Sequence, residues 1–293
     1  MRLKSALRRG VAAAVIAGIV VSSGIPAYAA RWDIADGDIT VRADEAEGTN
    51  RVSQGKNVDV KDTDTVITGK SEEHTVTIDT SKGNVDVTFD DLKIDVSGKA
   101  EVDGSGKAEG DVSDDLKIDV SGKTEGDGSG DGPVDAGKAA VTVKGGGDAT
   151  IELDGKNELK SGGYHAGLEK NGDESSGKLT IKDDKGKDGS LTAAGGAGGG
   201  AGIGGKHESG AGNIEITGGT IKAEGGEGAA GIGGGVYGIG HDIEISGGKV
   251  SATGGNANKN LESFRTGAAG IGDGAGTEKD EIDPNAPSNP NNI

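Results

Sequence analysis

The sequence predicts an all-β chain: a right-handed parallel β-helix, or β-solenoid, with irregular coils and glycine corners. Three observations carry that expectation. First, short apolar runs alternate with a period of two, as in Ile214-Glu215-Ile216 and Ile221-Lys222-Ala223, the mark of strands with one buried face. Second, glycine pairs such as Gly218-Gly219 and Gly225-Gly226 separate the runs, where a sharp bend needs a backbone without a side chain. Third, the whole pattern returns: IEITGGTIKAEGGEGAAGIGGG begins at Ile214, and IEISGGKVSATGG begins 29 residues later at Ile243. Strand, corner, strand, corner, strand at a fixed step is one coil of a solenoid, stable only when stacked on its neighbours.

Taken in order, the chain opens with the features of a secretory signal over residues 1–29. Arg2, Lys4, Arg8 and Arg9 precede an apolar run, Val11–Val21, and Ala27-Tyr28-Ala29 supplies small residues before a cleavage point. The run is shorter than the ~20 apolar residues that span a bilayer, so the expectation is a secreted, extracellular product, either free or held at the cell surface, without membrane insertion after cleavage.

The β-helix domain is expected over 30–276. Its irregular N-terminal coils occupy 30–138 and start with RWDIADGDITVRADE, in which Trp32 is expected to cover the open end of the stack. NVDV (57–60), TVIT (65–68), HTVTIDT (74–80) and NVDVTFDDLKIDV (84–96) follow as alternating strands. DDLKIDVSGK occurs at 90–99 and again, unchanged, at 114–123, which reads as an internal duplication. Glycine-rich coils fill 139–276. Earlier copies of the unit are ATIEL, NELKSGG and HAGL (149–168), then LTI, SLTAAGG and GAGIGG (179–205). Ile203 to Ile232 is 29 residues and Ile232 to Ile271 is 39, so the coil holding NANKNLESFRTG (256–267) carries an insertion, expected as a surface loop. Residues 277–293, rich in Pro, Asn and acid, read as a disordered tail.

Composition excludes several functions. The net charge of −18 becomes −22 once the four basic residues of the signal are removed, a surface that repels nucleic acid and anionic membranes. Absence of cysteine excludes disulfides and thiolate chemistry. The 59 glycines and scarcity of aromatics would suggest disorder, but small inward residues stacked in register fill a narrow core without aromatics. A monomer is expected.

The segments NELKSGGYHAGLEKNGD, LTIKDDKGKDGSLTAAGGAGGGAGIGG and IEITGGTIKAEGGEGAAGIGGG resemble the glycine-rich, AGIGGG-type repeat regions of secreted and surface proteins of Gram-positive bacteria. The likeness spans roughly residues 140–275, with a weaker one over 55–98. It implies a parallel β-helix and an adhesin-like or carbohydrate-binding role. It carries no catalytic motif to transfer.

Candidate sites are few. Asp127, Ser129 and Asp131, followed by Gly132, imitate the start of a calcium loop, but the closing carboxylate would fall at Lys138; calcium is the one cofactor to consider, and none is expected. The four histidines, His74, His165, His207 and His241, occupy different phases of the repeat, which gives them no reason to converge. An enzyme is not expected. A β-helical polysaccharide lyase needs a basic group over its substrate, and none of Arg31, Arg42, Arg51 and Arg265 lies in a recognisable catalytic run. The carbohydrate-binding candidates are Tyr164 after a Gly-Gly corner, Tyr237 and His241 in GVYGIGHD, and Phe264 and Arg265 in the insertion. Aromatic faces beside corner loops suit sugar stacking. The expected partner is an extracellular polysaccharide or a host or cell-surface glycan; a spacer without ligand is the alternative, and a calcium-dependent lyase the more remote one.

Overall fold

The computed structural model describes residues 30–46, 48–98, 117–118, 124–125, 137–186, 188–256 and 267–276. The signal segment 1–29, the calcium candidates Asp127, Ser129 and Asp131, the insertion residues Phe264 and Arg265, and the tail 277–293 lie outside these described residues. Within them the chain is all β, apart from one 3-10 turn at Ile34–Asp36.

The N-terminal strands are β1 Arg31–Asp33, β2 Ile39–Ala43, β3 Asn50–Gln54, β4 Asn57–Asp62, β5 Thr65–Ser71, β6 Val76–Asp79 and β7 Val85–Asp95. The two short strands β8 Lys117–Ile118 and β9 Thr124–Glu125 pair only with each other. From there strands come in triplets. These are β10 Val141–Lys144, β11 Ala149–Asp154 and β12 Lys156–Lys160; β13 Leu168–Glu169, β14 Leu179–Lys182 and β15 Ser190–Ala194; β16 Ile203–Gly204, β17 Ile214–Ile216 and β18 Thr220–Glu224; and β19 Ile232–Gly233, β20 Ile243–Ile245 and β21 Lys249–Thr253. β22 Ile271–Gly272 begins one more.

Each member of a triplet pairs, in parallel, with the same member of the next. β13 pairs β16, β14 pairs β17 and β15 pairs β18, and the rule continues through β19, β20 and β21. Two parallel-dominated sheets result. One runs β22-β19-β16-β13-β10-β6-β2-β3-β4, the other β20-β17-β14-β11-β7-β12-β15-β18-β21. The second is curled, because β7 is long enough to start both arms. Val85–Asp90 of β7 carries β11, and Lys93–Asp95 carries β12. Between them the chain bends at Asp91 (φ 52°), whose carboxylate accepts the Lys156 N–H at 2.9 Å.

The alternating apolar residues point inward and stack in columns. Leu168, Ile203 and Ile232 are register partners and fully buried; so are Leu179 and Ile214, Leu191 and Ile221, and Ala193 and Ala223. Burying one such branched side chain stabilises by about 1.5–3 kcal/mol. The columns fade at the C-terminal end, where Ile243, Val250, Ala252 and Ile271 are only partly buried and Ile245 is exposed. At the other end Trp32 is buried in the core and its indole N–H donates to Asp62 at 2.8 Å.

Two features of the N-terminal part depart from simple parallel coils. β3 and β4 form an antiparallel hairpin, because Gly55 (φ 55°) and Lys56 make a two-residue turn that sends the chain straight back. The second copy of DDLKIDVSGK supplies no strand to either parallel sheet: β7, from the first copy, pairs directly with β11 and β12. Identical sequence takes two placements because only the first copy has the preceding run Val85–Phe89 to anchor it against β5.

Glycine is required most sharply in the column Gly204, Gly233 and Gly272, with φ of 137°, 134° and 127°. A Cβ on Gly204 would sit 2.0 Å from the Gly233 carbonyl oxygen, and one on Gly233 would sit 2.0 Å from that of Gly272. Gly233→Ala is therefore expected to destabilise by about 3 kcal/mol or more, whereas Gly146→Ala, whose Cβ would meet only Ser176 Oγ at 3.5 Å, should be nearly silent. Urea-denaturation midpoints of the two variants check this; equal midpoints would contradict the close stacking.

Candidate functional site

The site grows out of the shortest strands. β13, β16 and β19 are two residues long, so the loops before and after each of them meet over the same edge of the stack. Backbone hydrogen bonds fasten them: the His207 N–H donates to the Tyr164 carbonyl at 2.9 Å, and the Val236 N–H to the Gly199 carbonyl at 2.9 Å. Such loops must be lined with glycine, since a Cβ on Gly198 would lie 2.4 Å from the Tyr164 ring.

This meeting of loops brings three rings together. Tyr164 and His207 pack edge to face with centroids 5.2 Å apart, and His207 and Tyr237 do the same at 5.8 Å, separations within the favourable range for aromatic pairs. Tyr164 and His207 are half-buried, while Tyr237 is 40% exposed. Tyr237 also holds φ at 62°, a left-handed conformation costly for a bulky residue. Its counterpart one turn earlier, Glu208, shares that conformation at 60°. The loop geometry thus imposes the backbone, and Tyr237 is the residue that uses it to display a ring. Its ring lies over Gly276, where a Cβ would come within 2.5 Å of it.

Of the residues singled out from the sequence, Tyr164 and Tyr237 are brought into one row and His241 stands at its margin. His241 is exposed, with Nδ1 2.9 Å from Asp242 Oδ2 and its ring laid against Gly212. Ile239, 47% exposed, completes the apolar tip of the same loop. The residue that sequence reading missed is His207. Histidine phases do differ along the repeat, but Tyr164 precedes its two-residue strand and His207 follows the next one, so a shared phase was the wrong criterion. Strand length was the usable signal.

Beneath the rings the corner is polar and closed. His165 Nδ1 lies 2.8 Å from the buried Glu169 carboxylate, which also accepts from the Ala166 N–H and from Asn171 Nδ2. Lys170 is fully buried and its ammonium donates to the carbonyls of Ser175 and Gly212 at 3.0 and 2.8 Å, tying two turns together. Burial lowers its pKa, partly opposed by Asp148. Among the described residues no group of three or more His, Cys, Asp or Glu side chains is arranged to hold a metal ion. No helix of these residues is long and apolar enough to cross a membrane.

No protein-family model, curated protein or solved structure matches this chain.

Burial lowers the His207 pKa below its ordinary 6.5, with the Glu208 carboxylate opposing. The unfolded chain therefore binds a proton that the folded chain resists, and stability present above about pH 6.5 is lost as the pH falls through that range. His207→Phe keeps the ring packing and should flatten this part of the profile, measured as melting temperature between pH 7.5 and 5. An unchanged acid limb in the variant would assign the loss elsewhere. Lys170 gives a rise in the alkaline range: stability increases as the pH climbs above its depressed pKa toward 10.5. Lys170→Met should abolish that rise.

Proposed function

We propose that this chain is a secreted, non-catalytic, adhesin-like or carbohydrate-binding module built as a right-handed parallel β-helix. The triplet pairing of strands supports the coil reading, and the likeness of its glycine-rich coils to repeat regions of Gram-positive surface proteins agrees with it. The single observation that carries the binding role is the displayed ring of Tyr237, held at a costly backbone angle and backed by His207 and Tyr164.

The mechanism is shallow contact. A pyranose lays its apolar face on Tyr237 with Ile239 beside it, and its hydroxyls meet the exposed His241 and Asp242 at the rim. One such contact is weak; affinity comes from several along an extracellular polysaccharide or cell-surface glycan. The basic and apolar opening of the chain and Ala27-Tyr28-Ala29 support export. A spacer without ligand is favoured by the interlocked glycine backbone alone, which would make a stiff rod whatever the loops carry.

A glycan array probed with and without calcium separates the two. The module reading expects binding to a defined glycan set, reduced tenfold or more by Tyr237→Ala at unchanged melting temperature. A blank array, or binding indifferent to Tyr237, would leave the spacer.

A further inference from the structure

On the outer face of the β7–β12 arm, away from the aromatic row, lies an open trough of about 500 Å³. Its origin is a strand-length mismatch. β1 covers β5 only from Val66 to Thr68, so Lys70 and Ser71 at the end of β5 project past their neighbour. The turn after β5 is fixed by Ser71 Oγ, which accepts from the Glu73 and His74 N–H groups at 3.1 and 2.8 Å, and forms one wall. The floor is Lys93 and Asp95 of β7 with Glu158 and Lys160 of β12.

The charges of this floor are paired except at one place. Lys93 reaches Glu158 at 3.3 Å and Lys160 reaches Asp95 at 3.1 Å, each across one strand spacing. Lys70 is the register partner of Lys93 on the other side, so two ammonium groups share a row at about 4.8 Å strand separation. Lys70 makes no ion pair with any described residue. Like charges directly opposite each other on neighbouring strands are destabilising, and in a chain with 49 acidic and 31 basic residues a carboxylate is the commoner neighbour for a lysine. An anion between the two ammonium groups would relieve the repulsion.

We infer that this trough binds an acidic saccharide, with one anionic group seated between Lys70 and Lys93 and hydroxyls directed to Ser71, Glu158 and Lys160. Only the ligand class rests on the carbohydrate reading; the site is distinct from the Tyr237 corner and fails or stands separately. A second, smaller hollow of about 220 Å³ shares Lys160 and continues toward Ser97 and Ala197. The ligand therefore runs across the strands, along the direction of stacking, as a linear oligomer would.

The test is calorimetric titration of the purified chain with oligogalacturonate, its fully methyl-esterified form, a sulfated oligosaccharide and inorganic sulfate. Expected is binding of at least one of the two acidic oligosaccharides, weakened by salt and absent for the ester. Lys70→Gln should weaken it tenfold or more at unchanged melting temperature. Lys222→Gln, on the same row but outside the trough, and Tyr237→Ala should leave it intact. Equal binding of ester and acid, sulfate alone binding as tightly, indifference to Lys70→Gln, or no binding of either acidic oligosaccharide would overturn the inference. Which of the two acidic ligands binds decides between carboxylate and sulfate.

Discussion

The structure depends on one constraint: successive turns of backbone lie in register at strand spacing, so that every side chain meets the residue at the same position one turn away. Hydrophobic columns follow directly, since Ile203 over Ile232 is a contact between identical residues. So does the glycine requirement. Where carbonyl oxygens of the next turn occupy the space of a Cβ, as at Gly204 and Gly233, no other residue fits without backbone movement. The core is thereby slender and needs few aromatics; Phe89 and Trp32 serve the N-terminal half, where the turns are less regular.

The same constraint shapes both candidate sites by its local failures. Where one strand of a triplet shrinks to two residues, the flanking loops crowd together and carry Tyr164, His207 and Tyr237 into one row. Where β1 stops short of the end of β5, a ledge is left with Lys70 on it. In a stack of near-identical turns, distinct chemistry arises where a turn differs from its neighbours in length.

Most of the strand pattern was legible in the sequence. The period of two placed Ile214-Glu215-Ile216 and Ile221-Lys222-Ala223 on strands with the correct residues inward, and the 29-residue step gave the pairing of Ile203 with Ile232. The β3–β4 hairpin was not legible, because a run such as NVDV has the same alternation in parallel and antiparallel pairs. Nor was the fate of the duplicated DDLKIDVSGK, since identical residues differ only in what precedes them. Tyr164 and Tyr237 were visible as loop aromatics, but their link through His207 depends on loops from different turns meeting in space. The Lys70–Lys93 row was hidden for the same reason: it joins residues whose register is set by a bulge after Thr68.

The register itself can be tested in a chain that has no cysteine of its own. Lys222 and Ser251 are exposed register partners on β18 and β21, with the Cα separation of neighbouring strands, which lies within disulfide reach. Lys222→Cys with Ser251→Cys is predicted to form an intramolecular disulfide on mild oxidation, read by mass spectrometry, while Lys222→Cys with Lys249→Cys, two positions out of register, is not. A disulfide in the second pair and none in the first would contradict the turn-on-turn stacking.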